Sequence, residues 1–148
     1  MKYQLKYIDK NHRFYKQAVE IRIACFFRGM QNSTDLINDA FEEKGSHLIY
    51  LNDQDQVLGT GRLNIKNTKA IISQMAIDFP SQKKGIGKLI LLELLQKCKE
   101  KEVAVIELSA RKTAIAFYEK YGFKVDGKEY ASKKTGIIHQ RMLRTSLL

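Results

Sequence analysis

Gln82-Lys83-Lys84-Gly85-Ile86-Gly87 stands between a strand-like stretch over 70–78 and the apolar series Ile86, Leu89, Ile90, Leu94, Leu95 and Cys98. Two glycines one residue apart therefore join a strand to a long helix that ends near Lys101. Such a junction sets unpaired backbone N–H groups at the positive end of the helix dipole, where main-chain donors hold a phosphate and side chains would obstruct it. Neither common nucleotide loop fits. A P-loop ending at Gly87-Lys88 requires Gly at 82 and Ser or Thr at 89, where the chain has Gln82 and Leu89. G-x-G-x-x-G starting at Gly85 requires Gly at 90, where Ile90 stands.

Upstream, polar and apolar residues alternate over 3–8 as in a strand, and Tyr15, Val19, Ile23 and Phe26 place a first helix over about 11–27. Ser33-Thr34-Asp35 predicts the cap of a short second helix running to about 43. Strands over 47–52, 57–65 and 70–78, joined by Asp53-Gln54-Asp55-Gln56 and a turn near Lys66-Asn67, make an antiparallel meander. Downstream, 103–109 reads as a buried strand. Ala114, Phe117, Tyr118 and Tyr121 form one helix face, with Gly122 as its C-terminal cap. Strands over 123–125 and 137–143 close the order β-α-α-β-β-β-α-β-α-β-β. That order predicts an α+β (mixed α/β) three-layer domain, with 1–148 as a single domain.

Composition agrees. The 148 residues are 44% hydrophobic and 28% charged, with 9 Gly and 1 Pro, which excludes collagen-like, disordered and disulfide-framework classes. Lys+Arg 26 against Asp+Glu 16 gives a net charge of +10, a surface that draws in anions. Nucleic acid, an anionic membrane surface and a phosphate-bearing cofactor all meet that condition. Cys25 and Cys98 sit in apolar helical patterns without zinc-ligand spacing and read as reduced core residues, so no metal is expected. The N-terminus lacks the apolar core of a secretory signal, and no apolar run approaches a membrane span; a cytoplasmic, membrane-free protein is the expectation.

The loop at 82–87 matches the Q/R-x-x-G-x-G/A pattern of the GCN5-related N-acetyltransferases (GNAT). Ala114-Ile115-Ala116-Phe117-Tyr118-Glu119-Lys120-Tyr121-Gly122-Phe123 resembles that family's A-x-x-F-Y-x-K-x-G-F segment, one strand and one helix onward. Two linked motifs in order are far more specific than either alone. They cover about 73–123. The closing Gly127-Lys128-Glu129-Tyr130 and Gly136-Ile137-Ile138-His139-Gln140-Arg141-Met142 are similar to a bacterial subgroup whose substrates are mostly unassigned. Arg111 departs from the Asn that many relatives carry.

The resemblance implies a GNAT-like fold, a central and mostly antiparallel sheet flanked by helices, and acetyl-CoA as co-substrate. Met75, Ala76 and Ile77 would bond the pantetheine arm in a strand-like manner. Gln82, Lys83, Lys84, Gly85, Ile86, Gly87 and Lys88 would wrap the pyrophosphate, the glycines for close approach and the lysines for charge. Tyr118 matches the family tyrosine that protonates the departing thiolate. The reaction is direct transfer to a primary amine, small or on a peptide or protein. The base is open among His139, Glu107 and Glu129, with the imidazole best matched in pKa. Relatives often pair, so a homodimer is a further expectation. The competing readings are an acyl-CoA-binding sensor without catalysis and a basic nucleic-acid-binding module. The second lacks aromatics interleaved with its lysines, helix-turn-helix spacing and zinc spacing.

Overall fold

The computed structural model describes residues 2–145. Eight strands form one sheet in the order β1 (Tyr3–Ile8), β2 (Ser46–Asn52), β3 (Val57–Lys66), β4 (Lys69–Ile77), β5 (Val105–Arg111), β8 (Ile138–Thr145) and β6 (Lys124–Val125). The two-residue β7 (Tyr130–Ala131) also pairs with β8. Every pairing is antiparallel except β4 with β5. The expected mixed fold, with helices covering a mostly antiparallel sheet, is the one observed.

Helix α3 (Ile86–Glu100) packs Ile86, Ile90, Leu91, Leu94 and Cys98 onto one side of β2–β4. Each such side chain contributes about 1.5–3 kcal/mol on burial. Two glycines of β3 permit the approach: a Cβ at Gly59 would meet Ile90 Cδ1 at 2.9 Å, and one at Gly61 would meet Leu94 Cδ1 at 3.0 Å. On the other side, helix α1 (Tyr15–Arg22) buries Ala18 and Ile21 against Ile49, Leu51, Val57 and Ala76.

Several boundaries differ from the sequence expectation. The first helix starts at Tyr15 rather than near 11 and widens at its end into a π-helical turn, Ile23–Phe27. Helix α2 spans only Ser33–Ile37, not 33–43, because the following residues turn to send Asp39 and Glu42 inward to buried arginines. The strand expected over 103–109 runs from Val105 to Arg111. Residues 103–104 are held in a turn by Cys98 and Thr68 carbonyls, while β8 extends the pairing to Arg111. Helix α4 (Ile115–Glu119) is a short stretch preceded by a 3-10 turn. It ends as expected at Gly122 (φ +89°), with Phe123 N–H bonding Tyr118 O and Gly122 N–H bonding Glu119 O. Both cysteines are free: Cys98 is buried in the core, and Cys25 is half-buried, packed against the hydrophobic cluster under α1.

Candidate active site

Strands β4 and β5 pair over only three positions, Lys69 with Val105, Ala70 with Ile106 and Ile71 with Glu107. Beyond Ile71 they part. At the same place β4 carries a bulge: Arg62 is opposite Ser73 and Thr60 opposite Ala76, so Gln74 and Met75 share the space facing Gly61. Gln74 takes φ +54°, a left-handed conformation that costs a non-glycine residue about 1 kcal/mol or more. Asp78 N–H bonds Leu58 O on β3, so alternation turns the Ile77 and Met75 backbones toward the cleft and that of Ala76 toward β3.

Into the gap opens a cavity of about 270 Å³. Met75, Glu107, Tyr118 and His139 all line it, so four of the predicted residues come together there. Of the others, Ala76 and Ile77 end β4, residues 82–88 form the following loop and the first turn of α3, and Glu129 is at the surface. The Ile86 side chain is core and offers only its backbone. Gln82 acts as a strut, its Nε2 donating to Ile77 O at 3.0 Å, and Cys25 Sγ reaches the same oxygen at 3.3 Å. Lys83, Lys84 and Lys88 are exposed.

The glycines of the junction are not explained by packing. A Cβ at Gly85 would meet nothing within 4 Å; its requirement is φ +86° at the residue before the helix. A Cβ at Gly87 would meet only Ile77 and Phe117 at 3.9 Å, ordinary contact. The space over the first turn of α3 is open. Leu89 N–H already bonds Gly85 O, leaving those of Ile86, Gly87 and Lys88 directed outward.

Tyr118 is buried on α4, and burial pushes its hydroxyl up to about 12, so it remains protonated across the neutral range. His139 sits across from Arg111 in the β5–β8 ladder. Burial and the Arg111 charge both lower its pKa from 6.5, which keeps the imidazole neutral at pH 7. Glu107 is held instead as an ion-paired carboxylate. Burial raises its pKa, but Lys69 at 2.9 Å and Arg141 at 2.8 Å outweigh that and lower it. Glu129 is paired to Lys112 on the surface.

Behind the cavity lies a buried ionic network that the sequence reading missed. Glu42 accepts both Arg22 Nη atoms at 2.7 and 2.8 Å, Arg62 Nη1 at 2.7 Å, and the Tyr15 hydroxyl. Arg62 also grips Asp39, which Lys134 reaches at 2.7 Å. The remaining guanidinium donors hold the bulge: Arg22 Nε bonds Gln74 Oε1 at 3.1 Å and Arg62 Nε bonds Ser73 Oγ at 2.9 Å. Relative exposures of 1% for Arg22 and Glu42 and 3% for Arg62 mark it as interior.

A split sheet, a bulged strand and a glycine-lined helix start agree with a match of residues 12–146 to the model of the acetyltransferase (GNAT) domain. The chain belongs to the GNAT family. Within it, the chain is 30% identical over 106 residues to the uncharacterized protein YyaT of Bacillus subtilis, covering 72% of this chain and 70% of that one. It is 24% identical to the uncharacterized N-acetyltransferase YjcF of the same organism, covering 93% and 96%. The fold superimposes on the crystal structure of an acyl-CoA N-acyltransferase from Pseudomonas aeruginosa with a TM-score of 0.76 at 20% identity, covering 97% and 99%. As a GNAT protein, this chain is an N-acetyltransferase drawing on acyl-CoA, with an amine as acceptor. No helix among the described residues is long and apolar enough to cross a membrane.

Proposed function

We propose that the chain, acting over 1–148 as one catalytic domain in the cytoplasm, moves an acetyl group from acetyl-CoA to a primary amine by direct attack. The observation that carries this reading is the parting of β4 from β5 above Ile71, with the glycine junction at one end and a cavity holding Tyr118 and His139 at the other. The residues fit the donor. Outward amides of Ile86, Gly87 and Lys88, with Lys83 and Lys84 at the rim, suit a diphosphate, and the cleft-facing backbone of Met75 and N–H of Ile77, whose carbonyl Gln82 and Cys25 already occupy, suit an amide-bearing arm. Ala76, engaged with Thr60, serves through its position between them.

Acetyl-CoA supplies a thioester whose acyl carbon is open to nucleophiles. An amine arrives mostly as ammonium and must lose a proton; neutral His139 accepts it, directly or through a water. The Tyr118 hydroxyl donates to the departing sulfur. Burial keeps that hydroxyl protonated across the neutral range, so the proton is in place to be donated.

Calorimetric titration with acetyl-CoA, followed by amine-dependent release of free thiol, tests the reading; absence of binding overturns it. Tyr118→Phe is expected to lower kcat about 100-fold, as for loss of one donor to developing charge. Its affinity for acetyl-CoA should stay within about threefold, and an unchanged kcat removes the proposed acid. For the base, kcat/KM of the native protein should fall below an apparent pKa under 6.5, the direction set by burial and Arg111. His139→Gln should lose that limb; a pH profile that keeps it assigns the base elsewhere.

A further inference from the structure

Successive residues of β5 face opposite sides of the sheet. Leu108 and Ala110 enter the core beneath α3 and α4, whereas Glu107, Ser109 and Arg111 face the side covered by α1 and its π-helical turn. Arg111 is thus turned away from the core over which α3 packs. Its guanidinium is fixed: Nη2 donates to Cys25 O at 3.2 Å, and Cζ lies 5.2 Å from the centroid of the Phe26 ring. It spends one of five N–H donors there and has no carboxylate partner among the described residues.

The rest of the cavity wall sharpens the point. Glu107 is the one acid lining it among the described residues, and it is already claimed by Lys69 and Arg141. Lys134, the other permanent cation on the wall, is neutralised by Asp39. Among the described residues no unpaired carboxylate lines the cavity to meet an incoming ammonium, while one oriented guanidinium is open to an anion. Arginine held over a ring face and tied at one nitrogen is pre-organised for a planar, two-oxygen partner.

From this we infer that the acceptor is a small amine carrying a carboxylate, and that Arg111 binds that carboxylate on the acceptor side of the cavity. The inference rests on the acetyltransferase reading and deepens it. About 270 Å³ of space suits a group the size of an amino acid.

The test is thiol release from acetyl-CoA with matched amine pairs: free amino acids, their carboxamides and the corresponding decarboxylated amines, with polyamines as a further set. The native protein is expected to favour the carboxylated member by about 10- to 100-fold in kcat/KM. In Arg111→Gln that ratio should fall toward one, through the acceptor's KM, with acetyl-CoA affinity by calorimetry held within threefold. Lys99→Gln, which removes the same charge on an exposed face of α3, should keep the preference. A purely structural role for Arg111 would lower both members of each pair alike, and that result overturns the inference. So does equal or better use of carboxamides, decarboxylated amines or polyamines, or failure of every carboxylated amine with acetyl-CoA bound; both leave the acetyltransferase reading standing. Failure to bind acetyl-CoA removes both.

Discussion

Gly87→Ala and Gly87→Trp are expected to separate stability from binding. The alanine methyl meets only Ile77 and Phe117 at 3.9 Å and sits in the first turn of a 15-residue helix. Alanine should therefore stabilise the fold by about 0.5–1 kcal/mol through helix propensity and a less flexible unfolded chain. The same methyl occupies the space kept open over the amides of Ile86, Gly87 and Lys88, so affinity for acetyl-CoA should drop about tenfold. Tryptophan fills that space, and binding should weaken at least 100-fold in a protein whose circular dichroism is unchanged. Calorimetry with acetyl-CoA and a thermal melt on each variant read both quantities. A more stable alanine variant with undiminished affinity would place the donor's phosphates elsewhere.

The second large effect is predicted for Glu42→Ala. Removing this carboxylate leaves Arg22, whose one acid partner it is among the described residues, unpaired in the interior, and leaves Arg62 to share Asp39 with Lys134. Breaking one partner out of a buried pair costs about 3–5 kcal/mol, which for a chain of this size lowers Tm by roughly 10–15 °C. The neighbouring Glu43 makes the control. Its side chain is 82% exposed and pairs only with Lys10, so Glu43→Ala should leave Tm within about 2 °C. A Tm loss of similar size in both variants would contradict the account. Acid supplies a second readout. Burial pushes the Glu42 and Asp39 carboxyls up, but hydrogen bonds and charge from Arg22, Arg62, Tyr15 and Lys134 prevail and hold both at about 2. Groups depressed in the folded state stabilise it above their unfolded values near 4–4.5, and that stabilisation is lost as pH falls from there toward 2. Glu42→Ala should therefore show a shallower loss of Tm over that interval than the native protein.

Much of this architecture was legible because its signals are local. The glycine spacing at 85 and 87, the apolar face of α3 and the Gly122 cap each declare themselves within a few residues. The partners of the ionic network lie up to 95 residues apart in the chain, and nothing near Arg22, Glu42, Arg62 or Lys134 distinguishes an interior charge from a solvated one. The same network explains why α2 stops at Ile37 where its pattern would have carried it on: two acidic residues are worth more inside, against guanidinium groups, than on another helical turn. β7 escaped notice because two residues carry no periodicity; its place is set by β8 alone. Arg111 was visible only as a departure from the Asn common among relatives. Its neighbours across the ladder supply its meaning.

The bulge at Gln74 is also a change of phase within a single strand. Upstream of it, Ala70 and Ile72 enter the core under α3 while Ile71 and Ser73 face the cavity; downstream, Ala76 packs with the α1 layer and Ile77 with the α3 layer. An uninterrupted strand would put Ser73, Met75 and Ile77 all on one face. With one residue slipped, the same strand addresses two molecules arriving from opposite sides of the sheet, and the point where its parity changes is where they must meet.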